Sequence, residues 1–359
     1  MIDYLIIGGG LAGLSFARYC QLYNKSFLIL DARKNSASRV AGGMYNPVVL
    51  KRFTAIWQSK EQLEIAKDFY PALEKELQTR FFFPMPIYRK FASVEEQNNW
   101  FVACDHLETA PFLNEQLFNG KFSHIPSPFG YGEVFETGFL DVAHFVSSYQ
   151  NYFFDKKQLT YITLDYQQLN ISDECIQYND IKAKNIIFAE GFSLHQNPYF
   201  NYLPLDGTKG ELLYVKIPDL KLESIVKSKV FLIPVGNDIY KVGATYDWQD
   251  KTNVPTQAAY DELIEGLEQL IDCPYEVDEH RAGVRPTVKD RRPLVGKHYQ
   301  FQNVFLLNGL GTRGVLLAPY LAEKLFFYIE ENQTLDKNIS VERYYKKLDL
   351  FKVGNRKQS

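Results

Sequence analysis

The sequence is poor in cysteine, and the four it has, Cys20, Cys104, Cys175 and Cys273, form no C-x-x-C pair and have no histidine at metal-ligand spacing. That excludes a zinc ribbon and a dithiol redox motif. Reduced, mostly structural thiols are expected, and no metal site. Long apolar runs are also missing. The most apolar late segment, GVLLAPYLAEKLFFYI, is interrupted by Glu323 and Lys324, which suits a helix of a soluble protein and not a membrane span. The opening residues MIDYLIIGGG lack a basic stretch, an apolar segment and a small-residue cleavage site in that order, so no secretory signal is expected and the cytoplasm is the expected location. Nor does one charge dominate. A formal net charge of -3 gives no field that would draw nucleic acid or an anionic membrane, so no nucleic acid partner is expected. None of the six histidines stands in a pattern that suggests a catalytic dyad.

What is present describes a folded chain of ordinary balance. Hydrophobic residues at 46% and charged residues at 23% place it far from disordered compositions, and 359 residues allow roughly two domains at ~150 residues each. Aromatic residues are plentiful at 15%, enough for core and sheet positions and for an aromatic-walled cavity.

Along the chain, DYLII reads as a strand, the glycine turn IIGGGLAG follows, LAGLSFARYCQLYN has helical spacing, and SFLILDA is a second strand. The loop RKNSASRVAGGMYNP comes next, then a helix from Leu63 to Leu77. Residues 81–138, rich in Pro, Gly and aromatics, read as an insertion. LDVAHFVSSYQNYF is a helix and NIIFAEG a strand returning to the first domain. GELLYVKI and KVFLIPVGNDIYKVGATY predict an antiparallel sheet. The segment NVFLLNGLGTRGVLLAPYLAEKLFFYI reads strand, turn, helix, and a polar tail closes the chain.

Two glycine turns therefore stand at opposite ends. The first, Gly8-x-Gly10-x-x-Gly13 with Leu11 and Ala12 between, has the complete context of a dinucleotide site: strand, helix, second strand and an acid, Asp31, at its end. Free N–H groups and the positive end of the helix dipole are expected to meet the phosphates. The second, Gly309-x-Gly311-x-x-Gly314, has no following strand with a terminal acid and is not an independent nucleotide fold. It is expected to aim a helix N-terminus at an electron-rich group, or simply to close the sheet.

In order, DYLIIGGGLAGLSFA, AGGMYNP, IIFAEG, VGATY, AGVRPTVKDRRPLVG and NGLGTRGVLLAP resemble the D-amino acid oxidase family of flavoproteins, especially its glycine oxidase branch, over nearly the whole chain. The resemblance implies an α/β fold, α+β overall: a Rossmann-like FAD-binding domain built from discontinuous segments and a substrate domain with a large antiparallel sheet. The expected division is 1–80, 139–204 and 287–345 for FAD, 81–138 and 205–286 for the substrate or cap, and a frayed tail at 346–359. One non-covalent FAD would use both glycine turns.

Carried over by position, the resemblance implies Gly8, Gly10, Leu11, Ala12 and Gly13 at the pyrophosphate and Asp31 with Ala32 at the ribose. Arg33 or Lys34 would lie near a phosphate. Ala41, Gly42, Gly43 and Met44 would pass beside the flavin ring, Gln168 would lie near adenine, and Ala189, Glu190 and Gly191 would close over the ribityl chain. Gly309, Gly311, Thr312, Arg313, Gly314, Val315 and Leu316 would stand at the pyrimidine end. On the substrate side it implies Arg285 gripping a carboxylate, as a planar guanidinium does bidentately, with Tyr246, Phe231 and Arg313 as neighbours. Phe231 stands where the glycine oxidase pattern carries a Tyr and Tyr246 where it has Met. The implied activity is FAD-dependent oxidation of the C–N bond of an amino or imino acid, by hydride transfer from the α-carbon, with O2 or another acceptor taking the electrons. The alternatives are a tRNA wobble-uridine demodification type of oxidoreductase, which shares the fold, and a non-catalytic FAD-binding subunit of a larger dehydrogenase.

Overall fold

The run Ile2–Ile7 (β1) is apolar almost throughout because both its faces are covered, and Tyr4, Leu5 and Ile6 are fully buried. It leads through a glycine turn into helix Leu11–Leu22 (α1) and strand Phe27–Asp31 (β2), as the pattern predicts. The structure, a computed structural model, describes residues 1–33 and 37–345; Lys34 and the tail from 346 lie outside these. Two units form. One contains Met1–Arg39, Val146–Thr208 and the chain from Val284, and the other Val40–Phe145 and Lys209–Gly283.

In the first unit, β2, β1, Ile181–Phe188 (β3) and Val304–Asn308 (β4) lie side by side and parallel. Leu159–Tyr161 pairs parallel with β2 at one end, and Leu294–Lys297 pairs antiparallel with β4. The register sets Ile7 opposite both Leu30 and Phe188, and Phe188 opposite Leu306. Four strands thus end at one level. Helix Gly314–Glu331 (α2) follows β4 and packs on α1, with Phe326 meeting Phe16, Tyr19 and Tyr23.

An eight-stranded sheet, whose strands belong to the second unit except at Thr208, Val284 and Arg285, has the order Glu276–Arg285, Thr208–Lys216, Ile239–Gly243, Phe231–Gly236, Ile225–Lys227, Ile87–Lys90, Tyr131–Val134, Leu113–Phe118. Its central ladders are antiparallel, and Ile225–Lys227 runs parallel to Ile87–Lys90. Leu213, Val215, Leu232 and Val242 point to one face and pack with Leu263 and Leu267 of helix Gln257–Glu268. By the two-residue period of a strand, Leu212, Tyr214, Phe231, Ile233, Lys241 and Gly243 take the opposite face.

Residues 40–80 and 139–145, assigned to the first domain in the sequence-based division, cluster with the second unit. Strand Met44–Tyr45 pairs with Gly138–Leu140, which pairs with Phe82–Pro84. Tyr70, in helix Ser59–Leu77, stacks on Phe82 and meets Phe145 edge-on. These pairings keep the segment with the insertion that follows it.

Candidate functional site

The level ends of β1, β2, β3 and β4 release the chain at Gly8, Ala32, Ala189 and Gly309. Most sequence-derived cofactor positions of the first unit gather along this carboxyl edge. A Cβ on Gly13 would lie 1.8 Å from the Gly8 carbonyl oxygen, so only glycine lets α1 sit this tightly against the turn. Asp31 accepts the Gly9 N–H at 2.6 Å through Oδ2 and the Arg33 N–H at 2.8 Å through Oδ1. On the other side of Gly9, Gln150 donates to its carbonyl at 2.8 Å and accepts from Arg39 at 3.0 Å. The Arg33 guanidinium stacks 4.7 Å over the Tyr161 ring.

The second turn is built into the same edge. Asn308 donates to the Gly191 carbonyl at 2.9 Å and accepts the Gly309 N–H at 2.7 Å. The Gly311 N–H donates to the Pro286 carbonyl at 3.1 Å. That bond joins the turn to the segment that begins at Arg285, a half-buried residue whose carbonyl accepts the Thr287 N–H at 2.8 Å. Thr312 and Arg313 are exposed and Val315 and Leu316 buried, so α2 starts with its polar end outward.

The two helix starts share a feature. The N-caps Gly10 and Arg313 offer no side-chain acceptor, and neither first turn carries an acid. Elsewhere Ser93 and Thr256 cap their helices through their side chains, accepting from Glu96 and Ala259. At α1 the Leu11 N–H donates to the Ser38 Oγ over a long 3.4 Å. Two positive dipole ends thus begin without a capping side chain at the N-cap position.

Gln168 is exposed and donates to Asp165 at 2.9 Å. From the same turn the Tyr166 hydroxyl reaches Glu190, which also accepts from Asn197 at 2.7 Å. Burial, and then the Glu190 charge, push the Tyr166 phenol above its ordinary range, so it remains a hydrogen-bond donor.

In the second unit the loop Ala41–Met44 meets Phe231. A Cβ on Gly42 would stand 2.8 Å from the tip of its ring, and one on Gly243 2.7 Å from it. The Gly43 carbonyl accepts the Leu140 N–H at 3.0 Å, and a Cβ on Gly43 would be 1.9 Å from the Leu140 oxygen. Met44 pairs with Phe139, two residues before Asp141. Tyr246 is 61% exposed on the loop after Gly243. That loop is tied to buried Lys209, which donates to Asp250 at 2.6 Å and to the Val254 carbonyl, with Glu211 at 3.2 Å. The Lys209 hydrogen bond, helped by the Thr252 N–H, lowers Asp250 to about 2.

Sequence reasoning missed Gln150, Tyr166 and Asn308. Each acts on a backbone carbonyl or carboxylate distant in the chain. It also missed buried Lys241, whose ammonium burial holds below the usual lysine range while Asp141 pulls the other way.

Comparison with known proteins gives the family. The model of the DAO family, described as FAD dependent oxidoreductase, matches residues 3–326. Glycine oxidase of Bacillus subtilis (strain 168) is 26% identical over 147 residues, 39% of this chain and 39% of that protein. The tRNA 5-methylaminomethyl-2-thiouridine biosynthesis bifunctional protein MnmC of Idiomarina loihiensis is 27% identical over 151 residues, 40% of this chain and 25% of that protein. The aligned stretches therefore span well under half of these relatives. Among solved structures, glycine oxidase from Geobacillus kaustophilus aligns with a TM-score of 0.77 at 16% identity, covering 93% of this chain and 95% of that one. Iminodiacetate oxidase from Chelativorans sp. BNC1 aligns at 0.78 and 18%, covering 94% and 99%. At such identities the structures speak for the fold, and the family match over most of the chain completes the assignment: this chain belongs to the DAO family of FAD-dependent oxidoreductases.

Proposed function

We propose that the protein oxidises the C–N bond of an amino or imino acid, with FAD bound non-covalently across both glycine turns. The observation that carries the reading is the pair of glycine-turn helix starts, both without an acid in the first turn, at one carboxyl edge beside an acid at the end of β2. These residues fit FAD. The cradle at Gly13 admits no Cβ, the N–H groups at the start of α1 suit a pyrophosphate, and Asp31 keeps lone pairs for ribose hydroxyls beyond the two bonds it accepts.

FAD supplies the hydride acceptor, and the protein's residues bind and orient. Arg285 grips the substrate carboxylate and so fixes which C–H is presented. Phe231 and the glycines it touches form an apolar wall, and Tyr246 contributes an aromatic ring from the adjoining loop. The α-carbon gives up a hydride and the amine nitrogen a proton, and the resulting imine hydrolyses in water. Glycine oxidase, iminodiacetate oxidase and L-proline dehydrogenase among the structural neighbours agree with a small amine substrate.

The MnmC resemblance favours a second reading, a modified tRNA nucleoside as substrate. RNA binding calls for a basic face, and a net charge of -3 weighs against it. Turnover of free amino acids against the matching decarboxylated amines tests the first reading. Amino acids are expected to be turned over and amines not, and Arg285→Ala is expected to lower kcat/KM by about 100-fold, the scale for truncating one partner of a charge pair. Equal turnover of both, with Arg285→Ala unimpaired, would remove the carboxylate from the account.

A further inference from the structure

The second unit carries a cluster of rings that the reading above does not use. Lys121 is exposed, in the segment joining strands Leu113–Phe118 and Tyr131–Val134. Its Nζ lies 4.5 Å from the Tyr88 ring centroid, 5.0 Å from that of Phe118 and 5.7 Å from that of Phe122. The Tyr88 ring meets Phe118 at 86° and Phe122 at 75°, with centroids 5.5 Å and 5.3 Å apart. Two rings thus stand nearly upright to a third, and one ammonium lies within cation–π reach of all three.

The rings are held in place. Tyr88 is buried, stands opposite Glu133 in the ladder and donates its hydroxyl to that carboxylate at 2.6 Å. Burial, and then this bond, push the phenol above its ordinary range, so the donor stays protonated. Donation to a carboxylate also enriches the ring in electrons, which favours a cation on its face. Phe118 pairs with Tyr131, and Phe122 meets the Tyr131 ring edge-on at 5.2 Å. Tyr131 is fixed in turn by its hydroxyl, donated to the Ile125 carbonyl at 2.6 Å. Lys121 is held more loosely. Among the described residues its ammonium makes no hydrogen bond and no ion pair, and the preceding Gly120 has a φ of 58° with no atom within 4 Å of where a Cβ would stand.

We infer that Tyr88, Phe118 and Phe122 form a binding cage for a small quaternary ammonium solute, of the choline kind, with Lys121 as its resident competitor. A primary ammonium laid against rings still needs water for its three N–H donors. A quaternary nitrogen has no N–H to satisfy and presents methyl groups to all three rings, which is the ligand class that aromatic cages recognise. Lys121 can swing into solvent without breaking a bond to another residue, and the walls remain because the core behind them holds them. The cage lies within one unit and stands whether or not the protein oxidises C–N bonds.

The test is a ligand-observed NMR titration of the FAD-loaded protein, reading saturation transfer to the methyl protons of choline and of the neutral alcohol in which a quaternary carbon replaces its nitrogen. Wild type is expected to bind choline at least ~3-fold more tightly than the neutral alcohol, the scale of a cation–π contact at an exposed site. Lys121→Ala is expected to tighten choline by a similar ~3-fold, since the competitor is gone, and Phe122→Leu to lose the preference for the cation. Lys121 is exposed, so its variant is expected to fold, and the comparison of the two ligands is readable on wild type alone. Equal binding of choline and the neutral alcohol overturns the inference. So does choline binding that neither variant changes, which would place the ligand elsewhere, and so does an absence of binding in both wild type and Lys121→Ala.

Discussion

Leu11 and Gly314 touch: a Cβ placed on Gly314 would lie 3.0 Å from Leu11 Cδ1. They are the first residues of α1 and α2, some three hundred positions apart in the chain, so the two glycine turns deliver their helix starts to one place. Each start brings a partial positive charge of about half a unit. Brought together at the carboxyl edge of a parallel sheet, where α/β folds bind ligands, they explain why a chain of this length carries the same glycine spacing at both ends.

Gly13→Ala forces a methyl group into the Gly8 carbonyl at 1.8 Å. The turn must open, and the purified variant is expected to be colourless or to carry little FAD. Gly120→Ala is the control. Its positive φ costs about 1–2 kcal/mol, but no atom lies within 4 Å of the new Cβ. The ratio of flavin to protein absorbance should therefore fall in the first variant and hold in the second.

Gly314→Leu places a large side chain where α1 and α2 meet and is expected to weaken FAD binding and lower Tm together. Gly314→Ala, at 3.0 Å from the end of a flexible Leu, should be much milder. Equal FAD dissociation constants for Gly314→Leu and wild type would separate the second turn from the cofactor.

Phe231→Ala removes a buried ring and is expected to cost about 3–5 kcal/mol of stability. Gly42→Ala should also destabilise, since its methyl would meet the same ring at 2.8 Å. The combination Gly42→Ala with Phe231→Leu should be less damaging than the sum of the two single changes, because the shorter side chain vacates the space. Additive losses in denaturant unfolding would show that the loop at Gly42 and Phe231 do not share a wall.

Asp250 has its carboxyl lowered from 3.8 to about 2 by Lys209. A lowered acid stabilises the fold above its unfolded-state pKa and loses that contribution as the pH falls through the window from 3.8 to about 2. Asp250→Asn should flatten the fall in stability across that window, and near neutral pH it should speed proteolysis of the loop that carries Tyr246.

What could be read from sequence was local. The first glycine turn, its helix and Asp31 lie within thirty residues, where spacing alone carries the signal. The second turn was legible as a motif, but its meeting with Leu11 depends on the packing of two helices. Lys241 was invisible for a different reason. A lysine in an alternating run reads as a solvent-facing position, and only the register against Tyr214 and Ile233 puts it on the face with Phe231. Likewise, the two-residue strand Met44–Tyr45 is too short to leave a periodic trace, which is why residues 40–80 were grouped with the first domain.

The most direct measurement is an anaerobic absorption titration of the purified protein. The protein is expected to show flavin bands equivalent to one FAD per chain. These bands should bleach on adding an amino or imino acid from a panel of glycine, sarcosine, proline, D-amino acids and dicarboxylic amines. Bands that persist with every compound would contradict amino-acid C–N oxidation, and a protein that takes up no FAD would contradict the joint role of the two turns.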